Sequence, residues 1–233
     1  MTDVSSPVPP FSTASRAILF VIIVGAAFAG GLAIRATRKA LTPPVNQADE
    51  ARKYLQERGV KPLAKTPEEA ATTVATQPHP LLSQKAPDFT LNDDANQPRP
   101  LDAYLQQGNV VLVFYFGYHC NHCVAQLFAI HDDIERFREL GAQVVAVSAD
   151  DPADTRQRFA DYGRFNFPVL SDPANVVAEK YGVYTPRQGD RQELLQHGTF
   201  VIDRTGVVRW CNFGEEPFVD NATLLAELQK LPK

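Results

Sequence analysis

Cysteine is scarce in this chain: three residues in 233, alongside one methionine and one tryptophan. Three thiols are too few for a disulfide scaffold, so each is read for its own chemistry. A basic excess is also missing. The formal net charge is −4, and residues 83–233 carry 14 Lys/Arg against 21 Asp/Glu. That balance excludes the clustered positive surface that nucleic-acid phosphates require. There is no internal repeat and no collagen-like period, which excludes solenoids and fibres. There is no C-x-x-C-H string and no Gly-rich phosphate loop. No haem, flavin or nicotinamide site is therefore visible, and no cofactor is expected.

What is present fits one globular domain with extra segments, at 44% apolar and 21% charged residues. Residues 1–16 are a tail. Ala17 to Ile34 (AILFVIIVGAAFAGGLAI) is an uncharged run of 18 residues between Arg16 and Arg35. It reads as a single-pass membrane anchor at the lower length limit. A cleaved signal peptide competes, but the preceding tail is a poor basic n-region. Arg35, Arg38 and Lys39 follow the run, so the positive-inside rule favours a cytoplasmic domain. Residues 35–82 read as a Pro-rich, partly helical spacer. Within it Gln47 to Arg58 has helical composition but only Tyr54 and Leu55 as large apolar residues, so it is marginal alone. Reach from the bilayer and disordered filler are equally consistent with this segment.

From residue 83 onward the order of elements is informative. Ala86 to Leu91 reads as a short strand and Leu101 to Gln107 as a short helix. Val110 to Phe116 (VVLVFYF) is an apolar run of the kind buried on both faces of a sheet. A helix is expected from about Cys120 to Leu140, ended by Gly141. Val144 to Ser148 is a second buried strand, followed by a helix from Asp151-Pro152 to Tyr162. Phe167 to Leu170 is extended and Asn175 to Tyr181 helical. Thr199 to Asp203 and Val207 to Cys211 form a hairpin, and Asn221 to Leu231 is a closing helix. Alternation followed by a hairpin implies α/β, parallel first and antiparallel later.

The chemistry concentrates at Cys120-Asn121-His122-Cys123, after a buried strand and at a helix start. Residues i and i+3 there are neighbours, so the two sulfurs can form a short-loop disulfide. Free backbone N–H groups and the helix dipole favour thiolate, the reactive form. His119 and His122 flank the pair and would support a thiolate when protonated. A structural zinc site and a merely buried pair are the competing readings. Zinc usually takes four ligands from two separated pairs, and no second cysteine pair exists. Cys211, after Trp210 on a strand, reads as core packing, with a third redox role as the alternative.

Several strings together resemble the alkyl hydroperoxide reductase/thiol-specific antioxidant group, the peroxiredoxin-like branch of the thioredoxin fold. They are Ala86 to Leu91 (APDFTL), Val110 to Cys123 (VVLVFYFGYHCNHC), Val144 to Ser148 with Asp150, and His197 to Asp203 (HGTFVID) running into Gly206 to Arg209. The resemblance spans about residues 83–231. It implies a thioredoxin-like three-layer fold, with a mixed central sheet flanked by helices. It also implies Cys120 and Cys123 as catalytic residues of a hydroperoxide-reducing dithiol/disulfide cycle. An external dithiol such as a thioredoxin would regenerate them. The family's P-x-x-x-T-x-x-C pattern, set on Cys123, puts Phe116 at the proline and Cys120 at the threonine. The family's distal R-x-T-F string becomes His197, Gly198, Thr199 and Phe200. His197 would take part of the arginine's role as donor or cation, with Thr199 beside it. A thioredoxin-like reductase of protein disulfides is the alternative, with Cys120 attacking. A copper(I) carrier of the same fold, using His197, is a third reading.

Overall fold

A computed structural model describes residues 47–63, 72–117 and 122–232, which form one compact unit. Nine strands and seven helices follow in chain order among these residues. They are α1 (Gln47–Glu57), β1 (Thr90–Asp93), β2 (Pro98–Pro100), α2 (Leu101–Leu105), β3 (Asn109–Phe114), α3 (Ala125–Asp132) and α4 (Ile134–Glu139). Then come β4 (Ala142–Ser148), α5 (Pro152–Tyr162), β5 (Val169–Ser171), α6 (Val176–Lys180), β6 (Tyr184–Thr185) and β7 (Leu194–Leu195). The last three are β8 (His197–Ile202), β9 (Val208–Gly214) and α7 (Asn221–Gln229).

The main sheet has the order β2-β1-β5-β4-β3-β8-β9. β3, β4 and β5 run parallel, while β8 pairs antiparallel with β3, β9 with β8, and β1 with β5. The expected mixed sheet is therefore present. Each central strand is buried on both faces because alternate residues feed different cores. Val111, Val113, Val144, Ala146 and Val201 face α1, α3, α4, α5 and α7. Val110, Leu112, Val145, Val147 and Phe200 face α2 and α6. The result is three layers, with helices on both faces.

Four local features differ from the sequence reading. The helix expected from about Cys120 to Leu140 begins at Ala125 and is interrupted at Asp133. The buried Asp133 carboxylate accepts the Leu63 amide at 2.8 Å and the Asn221 side-chain amide at 2.8 Å. Those tertiary bonds hold it at φ −105°, ψ 8°, off the helical path. The first strand lies later than expected and turns into β2, because buried Asp93 accepts the amides of Ala95 and Gln97 in a tight turn. β6 and β7 are two-residue strands, too short to carry a pattern. The largest difference is α1, read from sequence as spacer. Ala51, Tyr54 and Leu55 are buried in the same core as α3, and Arg52 lies over the Phe128 ring.

The anchor read at Ala17 to Ile34 lies outside the described residues. Among the described residues, no helix is long and apolar enough to cross a membrane.

Candidate active site

The site is built where β3 hands over to α3. β3 runs through the middle of the sheet, so the loop after it opens at the strand's C-terminal edge. Gly117 makes the first turn of that loop at φ +77°, where a side chain is strained. A Cβ there would also stand 2.5 Å from the Asp150 carboxylate. Asp150, after β4, is held in turn by the Ser148 hydroxyl at 2.8 Å. Glycine is thus required twice over, by conformation and by contact.

Of the expected site residues, His119 and Cys120 lie outside the described residues. His122 and Cys123 lie just before Val124, the N-cap of α3, which has no side-chain cap. Cys123 is fully buried and disulfide-bonded, whereas Cys211 is free. Cys211 sits in the opposite core, where burial pushes its thiol pKa up. That environment suits packing and disfavours thiolate.

His197 and Thr199 stand two residues apart on β8 and therefore share a face. Its Nδ1–H donates to the Glu215 carbonyl at 3.0 Å, and its ring lies 4.1 Å from that of Phe116. Among the described residues, its buried Nε2 has no hydrogen-bond partner. Burial, helped by the charge of His122, lowers its pKa to about 4. At neutral pH His197 accordingly offers a lone pair at Nε2, not the cation expected in the arginine's place. Thr199 Oγ1 accepts from Gln126 Nε2 at 2.8 Å, both groups being fully enclosed.

Gln126 was missed by the sequence reading. It lies one helical turn after Cys123 and joins α3 to β8 at the site. Its signal was visible: it is the single polar residue in Val124 to Ile130 (VAQLFAI), a run otherwise fit for the core. Tyr54 and Glu216 were also missed, because they come from opposite ends of the chain. The Tyr54 ring stacks on His122 at 5.2 Å, and its hydroxyl donates to Glu216 Oε2 at 2.6 Å. Among the described residues, no group of three or more His, Cys, Asp or Glu could hold a metal ion.

Comparisons with known proteins agree with this geometry. The profile of the AhpC/TSA family matches residues 82–211. Alkyl hydroperoxide reductase E of Mycobacterium tuberculosis is 35% identical over 127 residues, covering 54% of this chain and 80% of that protein. The chloroplastic peroxiredoxin Q of Arabidopsis thaliana is 37% identical over 127 residues, covering 54% and 56%. Among solved structures, peroxidoxin BcpB from Mycobacterium tuberculosis superposes with a TM-score of 0.59 at 29% identity, covering 66% of this chain and all of that one. The mitochondrial 2-Cys peroxiredoxin from Plasmodium falciparum, at 20% identity and a TM-score of 0.54, shares the fold. With the thioredoxin-like sheet, the buried cysteine at the head of α3 and the matched profile together, this chain belongs to the AhpC/TSA family and is an oxidoreductase.

Proposed function

We propose that this protein is a membrane-tethered thiol peroxidase that reduces hydroperoxides through a Cys120/Cys123 dithiol/disulfide cycle. The observation that carries the reading is Cys123, enclosed and disulfide-bonded at the head of α3 in an AhpC/TSA domain. Cys211 is free and faces the other core, and Cys120, three residues earlier in the sequence, is the proposed partner of Cys123.

In the reduced enzyme, one thiolate of the pair attacks the terminal oxygen of a hydroperoxide. The S–O bond forms, the O–O bond breaks, and the leaving alkoxide takes up a proton. The second thiolate then attacks the sulfenic sulfur, and the hydroxyl leaves with a proton as water. The pair is now a disulfide, two electrons having passed to the peroxide. An external dithiol of the thioredoxin type restores it by exchange. In sequence His119 precedes Cys120 and His122 precedes Cys123; His197 and Thr199 share a face of β8, and Gln126 of α3 bonds Thr199. The tether is the uncharged run from Ala17 to Ile34, with its basic flank favouring a cytoplasmic domain.

Stopped-flow mixing of the reduced full-length protein with hydrogen peroxide tests the activity. Thiol loss should be far faster than for free cysteine. In the Cys120→Ser and Cys123→Ser variants, the one lacking the attacking thiol should lose the fast phase. The other should stop at a sulfenic acid. Thiol loss no faster than for free cysteine, with ready reduction of insulin disulfides, would overturn the peroxidase in favour of a disulfide reductase.

A further inference from the structure

α1 reaches the redox site from outside the part of the chain that the family profile matches. Its inner face is Ala51, Tyr54 and Leu55, set at helical spacing so that all three enter the core beside α3. Tyr54 is fixed at three points. Its hydroxyl donates to Glu216, the Arg58 guanidinium lies 3.7 Å from its ring centre, and Arg58 ion-pairs with the same Glu216 at 3.0 Å. The ring so held lies nearly parallel to His122, at 12°. His122 is the residue directly before Cys123. Glu216 follows Glu215, whose carbonyl holds His197. A single aromatic side chain therefore links the residue beside the redox cysteine to the loop that orients the distal histidine.

We propose that Tyr54 is a positioning residue of the redox site: its ring, stacked on the His122 imidazole, holds that imidazole at the residue directly before Cys123. The proposal rests on the reading of Cys123 as redox-active. An imidazole held in place beside a thiolate stabilises it when protonated, whereas one free to rotate into solvent is screened. Among the described groups, Tyr54 from α1 stacks on His122, Arg58 lies over Tyr54, and Glu216 from the β9–α7 loop and His197 from β8 interact with His122 electrostatically. The electrostatic influence of His122 reaches both His197 and Glu216, so these groups share one field.

The test follows the thiolate absorbance of Cys123 against pH in the reduced full-length protein carrying Cys120→Ser and Cys211→Ser, a readout that needs no reagent to reach the enclosed sulfur. Tyr54→Leu keeps an apolar side chain in place but removes the stack. Its thiolate midpoint should rise by about half a pH unit, so that the thiolate fraction well below the midpoint falls about threefold. Tyr54→Phe keeps the ring and should stay at the parent midpoint, although it loses the Glu216 bond. If both variants shift together, or neither shifts, the positioning role is overturned. The titration uses no peroxide, so it stands apart from the peroxidase reading. That reading fails separately if the reduced parent protein loses thiol to hydrogen peroxide no faster than free cysteine does.

Discussion

His197 shows how one residue's environment can reverse its expected chemistry. In sequence it occupies the arginine position of the family and invites comparison with a cation. In the fold it is enclosed, and its pKa falls from 6.5 to about 4. The unfolded chain therefore binds the proton more tightly between those values. The stabilising contribution is intact above pH 6.5 and is lost as pH falls towards 4. Lowering pH from 7 to 5 should cost about 2 kcal/mol through this group, from the linkage relation. Urea unfolding of the parent and of His197→Gln at both pH values checks it: the variant should lose correspondingly less. His79 is also shifted down by burial and adds in the same direction, so the difference between the two proteins is the quantity to read. The carboxylates of Asp93, Asp203 and Glu216 are shifted down and titrate below this window. The spacing that proposes Cys120, Cys123 and His122 as site residues is local and is therefore readable in sequence. Gln126 and Thr199 were legible only as polar residues within buried runs, since their hydrogen bond joins residues 73 apart.

At the scale of elements, α1 and the α3/α4 break carry the same lesson. The helix of α1 was readable from composition, but not its docking. Its buried face includes alanine, which packs closely without producing a strong apolar stripe. Contact with α3 then supplies stability that an isolated 11-residue helix lacks. If α1 is integral, Leu55→Ala should lower the unfolding free energy of the whole domain by about 2 kcal/mol, a modest value for a buried leucine. A pure tether would give no change in the urea midpoint. Asp133 makes the complementary point. The periodicity of the sequence runs straight through it, and only its bonds to Leu63 and Asn221 interrupt the helix.

At the scale of the molecule, the open sheet must protect two edges. The β2 edge is Pro98-Arg99-Pro100, and proline cannot donate to a further strand. The β9 edge is covered instead by residues 74–77. The Gln77 amide donates to the Cys211 carbonyl at 3.0 Å, and the Cys211 amide to Thr76 Oγ1 at 3.0 Å. The Phe213 amide donates to Gln77 Oε1 at 2.7 Å. Trp210 Nε1 donates to the Val74 carbonyl at 3.1 Å, locking the segment to the core. Thr76→Val combined with Gln77→Leu removes both side-chain acceptors and frees two strand amides. Light scattering should then show a mass that rises with concentration more steeply than for the parent protein. An unchanged profile would show that this edge needs no cover. The sequence by itself determined the sheet and its two cores, because alternation at period two and buried apolar runs are local signals. It also offered the cysteine pair as an expectation, because that spacing is a local signal. Only the tertiary structure decided that α1 belongs to the domain, that His197 is neutral, and that Tyr54, Gln126 and Glu216 meet at the site. Those outcomes depend on burial and on contacts between residues as many as 162 positions apart, and no local pattern encodes either.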